Sequence, residues 1–109
     1  MVWPFESREF DFGRVHDSYA LAAQQTGGIF IPAGDAWLQA WKAQPDLKLY
    51  SDGLHATPLG SFLAAAVIFR VIFDDVNFDL LTKFTTANTK LEISLEQRAL
   101  VRKAALDAK

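Results

Sequence analysis

The chain has no cysteine, which excludes disulfides, thiolate metal sites and a thiol nucleophile. It also lacks a basic stripe. Its 11 Lys and Arg are scattered against 13 acidic residues, so nothing is gathered to neutralise a phosphate backbone, and nucleic acid is excluded as a partner. No membrane span is expected. The longest apolar run, Phe62 to Phe73, is interrupted by Arg70 and falls short of the roughly 20 residues needed. Met1 is followed by Val-Trp-Pro and then charged residues, which is neither the basic nor the apolar part of a signal peptide. Histidine is scarce too, with two residues, His16 and His55. They stand far apart in sequence with no third ligand in view, so no metal or other cofactor is expected. What the chain does have is apolar bulk. Half of its 109 residues are hydrophobic, with three Trp and nine Phe, enough for one modest core and not for two.

Reading along the chain, "MVWPF" resembles the end of a strand closed by Pro4, and Glu6 to Asp11 is polar and loop-like. From Phe12 to Gln25 the spacing becomes helical, with Phe12, Val15, Tyr19, Ala22 and Ala23 on one face and Gly27-Gly28 as the stop. "GIFIP", Gly28 to Pro32, has the continuous apolar character of a strand buried on both faces. A second helix follows, with Asp35 as its expected cap, Trp37, Ala40 and Trp41 facing inward, and Pro45 as its end. Alternation of helix and strand points to an α/β layered fold. Thr57-Pro58 then supplies an N-cap with proline in the first turn of a helix to about Phe73, apolar on nearly every side and expected to be enclosed. Phe78 to Ile93, with four Thr, shows little periodicity. Ser94-Leu-Glu-Gln97 is a capping box opening a final amphipathic helix with Leu95, Ala99, Leu100 and Ala104 on one face.

Chemistry concentrates in Ser51-Asp-Gly-Leu-His55. A histidine acts as a general base near neutral pH, and it does so better when a carboxylate holds its Nδ1–H and fixes the tautomer. Asp52 and His55 are the candidate pair. Gly53 permits the tight turn that brings them face to face, and Thr57-Pro58 anchors the loop on a rigid helix. Asp before Gly is equally ordinary turn chemistry, so spacing alone leaves a purely structural role open. Ser51 is adjacent to Asp52, points away from it in an extended segment, and is better placed for hydrogen bonding within the loop than for attack.

The longer stretch "YSDGLHATPLGSFLAAAVIF" resembles the last block of the SGNH (GDSL-type) hydrolases, in which an Asp-x-x-His supplies acid and base of a serine triad just before the final core helix. "VWP", "SYALAA" and "GGIFIPAGDAWLQAW" resemble the approach to that block, so the likeness runs from Val2 to about Phe73. The resemblance implies a partial flavodoxin-like three-layer sandwich, parallel strands flanked by helices, with its N-terminal part missing. It implies a division into 1–73, the C-terminal portion of the hydrolase domain, and 74–109, an extension ending in a helix. It also implies His55 as base, Asp52 as its orienting acid, and an ester as the substrate of the whole enzyme.

The Gly-Asp-Ser block and the oxyanion-hole Gly and Asn of that family have no counterpart here. Gly34-Asp35-Ala36 imitates the nucleophile block with alanine in place of serine, and it falls where the pre-histidine segment belongs. The expectation is therefore the acid–base half of a serine esterase or lipase, inactive alone because triad residues work as a unit. The alternative is a non-catalytic remnant or interaction domain. Missing strands would leave an exposed sheet edge, a route to self-association. Any secretion signal would precede Met1, so the compartment is open.

Overall fold

The helical spacing from Phe12 onward is realised in the computed structural model as α1, Phe12–Thr26, behind a 3-10 turn at Glu6–Asp11. The structure describes residues 6–74, 83–85 and 90–109. Gly27, at φ 67°, supplies the left-handed residue that stops α1. Three further helices follow: α2 (Ala33–Ala43), α3 (Pro58–Phe73) and α4 (Leu95–Asp107). Thr57 caps α3 by accepting the Gly60 N–H, with Pro58 in the first turn. Ser94 and Gln97 close the expected capping box at α4.

Helices α2, α3 and α4 enclose one core. Ala36 and Ala40 of α2, Leu63, Ala66 and Val67 of α3, and Val101, Ala104 and Ala105 of α4 are all essentially buried. Alanines on α2 and α4 let those helix backbones approach, and the branched residues fill the space between. Burying a side chain such as Leu63 is worth about 2–3 kcal/mol against leaving it in water. Arg70 reaches from the last turn of α3 to donate from Nη2 to the Ala108 carbonyl at 3.2 Å, tying the end of α4 to α3. The final helix thus shares the core of the segments before it.

The α/β expectation is overturned. Among the described residues the only strands are β1 (Lys83–Thr85) and β2 (Lys90–Glu92), an antiparallel pair, and the rest of the regular structure is helical. The described residues form no flavodoxin-like sandwich of parallel strands. The physical reason lies in Gly28–Pro32. That segment has the composition of a strand, but a strand exists only through a ladder. Among the described residues the N–H groups of Ile29, Phe30 and Ile31 meet no backbone acceptor, and Ile29 is 69% exposed. The Ile31 carbonyl instead accepts the Ala33 N–H, turning the chain directly into α2. The sheet edge expected to mediate self-association is lost with the sheet.

Three finer expectations also change. Asp35 is not the cap of α2; Pro32 holds that position and Asp35 sits in the first turn. α3 is not enclosed, because Ser61, Ala65, Ile68, Phe69, Ile72 and Phe73 reach solvent. α4 buries Val101, Ala104 and Ala105 and leaves Leu95 79% exposed, so its inner face is rotated from the expected one. "MVWPF" and the stretch from Asp75 to Thr82 lie outside the described residues.

Candidate functional site

The Asp52–His55 loop is held at both ends before its own chemistry begins. Leu49 accepts the Thr57 N–H at 2.8 Å, and Tyr50 and Ala56 form a single antiparallel bridge. Thr57 Oγ1 donates to the Lys48 carbonyl at 2.9 Å while accepting the Gly60 N–H at 3.1 Å. Below this stem lies Trp37, whose Nε1–H donates to the Gly60 carbonyl at 3.3 Å. Gly60 is glycine for a steric reason: a Cβ there would stand 2.5 Å from the Leu49 carbonyl oxygen and 2.8 Å from the Trp37 ring. α2, the stem and the start of α3 therefore form one close-packed joint.

Within the loop, Gly53 takes φ 80°, which lets the chain double back from Asp52 to His55. Asp52 Oδ1 accepts the backbone N–H of His55 at 2.7 Å and that of Leu54 at 3.0 Å. Its other oxygen lies 2.7 Å from His55 Nδ1. The backbone N–H of His55, then the imidazole, then the Leu54 N–H hold the Asp52 carboxyl down to about 2. An ionised carboxylate only accepts, so Nδ1 carries the proton of the neutral ring and Nε2 is left as the basic nitrogen. Both side chains are largely exposed. The sequence reading placed this pair, and the structure brings it together.

Ser51 is committed elsewhere: its N–H and Oγ both donate to the His55 carbonyl, at 2.9 and 3.1 Å. It braces the turn and is not aimed at the imidazole. An open cleft of about 310 Å3, lined by Trp41, Asp46, Lys48, Tyr50 and others, runs up to Ser51.

A second histidine–aspartate pair was not legible. His16 Nδ1 lies 3.0 and 3.1 Å from the two oxygens of Asp35, joining α1 to the first turn of α2 across 19 residues. Phe12 and Phe30 flank the ring in edge-to-face geometry, with centroids 6.4 and 5.0 Å away. The signal available was weak, since His16 falls on the same helical face as Phe12 and Ala23 but nothing in sequence says what that face meets. Among the described residues no group of three or more potential ligands could hold a metal ion, and no helix is long and apolar enough to cross a membrane.

Fold and site together describe a small helical protein with a preformed, exposed carboxylate–imidazole pair. The chain matches no protein-family model, no curated protein and no solved structure.

Proposed function

We propose that this chain carries the acid and base of a serine ester hydrolase of the kind its Asp-x-x-His block resembles, with His55 as general base and Asp52 as its orienting acid. One observation carries the reading: the 2.7 Å contact between His55 Nδ1 and an Asp52 carboxylate whose second oxygen is already pinned by two backbone N–H groups. Such a carboxylate holds the imidazole in one tautomer and stabilises the imidazolium formed when Nε2 takes a proton from a serine. In this reading the serine and the oxyanion donors come from a companion segment, because Ser51 is spent on the His55 carbonyl.

The same Ser51 contact favours a second reading, a non-catalytic interaction domain in which Asp52 merely shapes a turn. Hydrolysis of p-nitrophenyl acetate separates the two. The chain alone is expected to act no faster than free imidazole. The chain extended by its own upstream reading frame, if that frame encodes a Gly-Asp-Ser block, is expected to turn over and to lose turnover in His55→Ala. An upstream frame without a serine block, or extended protein indifferent to His55→Ala, sinks the hydrolase reading. Turnover by the chain alone that Ser51→Ala abolishes sinks the account of the nucleophile.

A further inference from the structure

In a serine triad the imidazole activates a neighbouring hydroxyl; without a hydroxyl in reach, the imidazole acts through its own nitrogen. His55 stands in that position. The hydroxyls on either side of it are committed, Ser51 Oγ to the His55 carbonyl and Thr57 Oγ1 to the Lys48 carbonyl. Among the described residues no group bonds Nε2 of His55, and its side chain is 73% exposed.

The rest of the dyad prepares that nitrogen. Nδ1 lies 2.7 Å from one oxygen of Asp52, while the other oxygen takes the backbone N–H groups of Leu54 and His55. The carboxylate only accepts, so the proton stays on Nδ1 and the lone pair stays on Nε2. A carboxylate behind one nitrogen makes the opposite nitrogen more basic. It also stabilises the positive charge that the ring acquires once Nε2 bonds to carbon.

Charge says which electrophile fits. Among the described residues no Lys or Arg side chain bonds residues 51–56, and Asp52 is the ionised neighbour. A phosphoryl donor or other anion meets a carboxylate there and no cation. A neutral carbonyl compound meets no such repulsion. His16 offers the same Nδ1 contact, with Asp35, but its side chain is only 30% exposed and stands beside the rings of Phe12 and Phe30.

We propose that His55 is itself a covalent acyl acceptor, taking onto Nε2 the acyl group of a neutral donor with a good leaving group, such as an aryl ester or a mixed anhydride. The Nε2 lone pair forms a bond to the carbonyl carbon, and the leaving group departs with the electrons of the bond it breaks. The acylated ring is an imidazolium whose Nδ1–H remains on Asp52. Water then adds to the carbonyl and gives a proton to solvent. The carbon–nitrogen bond breaks, returning neutral His55 and a carboxylic acid. The inference goes beyond the hydrolase reading, since it needs neither a serine nor a companion segment. Its mark is selectivity and not speed, because the step is that of free imidazole.

Diethyl pyrocarbonate, a neutral acyl donor whose histidine product is stable enough to map, tests it on the chain as it stands. Limiting reagent is expected to label His55 several-fold faster than His16, and on Nε2. Asp52→Asn keeps an oxygen for the two backbone N–H groups but offers Nδ1 an amide donor, which moves the ring proton to Nε2. Labelling of His55 is then expected to slow about tenfold, with His16 unaffected. An unchanged far-ultraviolet dichroism spectrum checks the fold, and the comparison of the two histidines needs no variant. Equal labelling of His16, a label on Nδ1 of His55, or an Asp52→Asn chain that reacts at the original rate overturns the proposal. Acylation by acetyl phosphate as fast as by the neutral reagent overturns the choice of donor. An upstream frame without a serine block sinks the hydrolase reading and leaves this one standing. Unselective labelling, beside His55-dependent turnover in the extended chain, does the reverse.

Discussion

Both histidines of this chain rest Nδ1 on an aspartate, and the two pairs are built on opposite principles. Asp52–His55 spans three residues, lies in solvent, and is assembled by one turn whose own backbone grips the carboxylate. His16–Asp35 spans 19 residues, is half-buried beside the rings of Phe12 and Phe30, and exists only because α1 and α2 come together. The first is a local object that the packed joint beneath it merely holds in place. The second is a tertiary contact, and it is a principal polar link to a helix whose only buried residue is Phe12. A local pair can be read from spacing; a tertiary pair cannot.

The largest expected effect strikes the joint under the local pair. Gly60→Ala drives a methyl into the Leu49 carbonyl and the Trp37 ring, with no flexible side-chain end to yield. A loss of about 2–3 kcal/mol in urea unfolding is expected, with the His55 ring resonances displaced and the α1 amides little altered beyond the global loss. A wild-type midpoint would show that the close approach is not real.

The next effect falls on the tertiary pair. Asp35→Ala removes the acceptor of His16 and is expected to cost about 1 kcal/mol. Hydrogen exchange should show protection falling along α1 while the amides of Leu54 and His55 keep theirs. Equal loss in both places would mean that the two pairs are not separate units.

The smallest effect is a titration. Asp52 lies near 2 when folded, below its ordinary value near 4, because the folded loop donates to its charged form. A depressed carboxyl contributes stability that is full above the unfolded value and is lost as pH falls through the folded one, here between about 4 and 2. Carboxyl-carbon NMR is the measurement. In His55→Ala the midpoint is expected to rise only part of the way, since the backbone N–H of residue 55 is the leading cause and survives the substitution. A full return to the ordinary carboxylate value would put the imbalance on the imidazole instead.

Local determinants were legible. Thr57-Pro58, the Ser94–Gln97 box, the Gly27 stop and the Asp52–His55 turn each act within four residues, and each formed where its chemistry required. One local reading failed, the Asp35 cap, because α2 already begins at Ala33 behind Pro32; the other failures were inferences about partners. Gly28–Pro32 has the composition of a buried strand, but a ladder needs a second strand, and composition cannot supply one. The apolar circumference of α3 implied enclosure without naming what would enclose it. The rotation of α4 depended on which of two overlapping apolar faces, Leu95–Ala99 or Val101–Ala105, met α2 and α3.

Trp37 and Trp41 meet edge to face with centroids 5.9 Å apart, and Tyr50, at the root of the dyad loop, touches them at 5.0 and 6.0 Å. Chromophores fixed at such separations share their electronic transitions, and the resulting ellipticity vanishes when side-chain packing loosens. The loop therefore carries its own optical gauge. Near-ultraviolet dichroism will follow whether the Asp52–His55 turn is seated, in real time and without any added label.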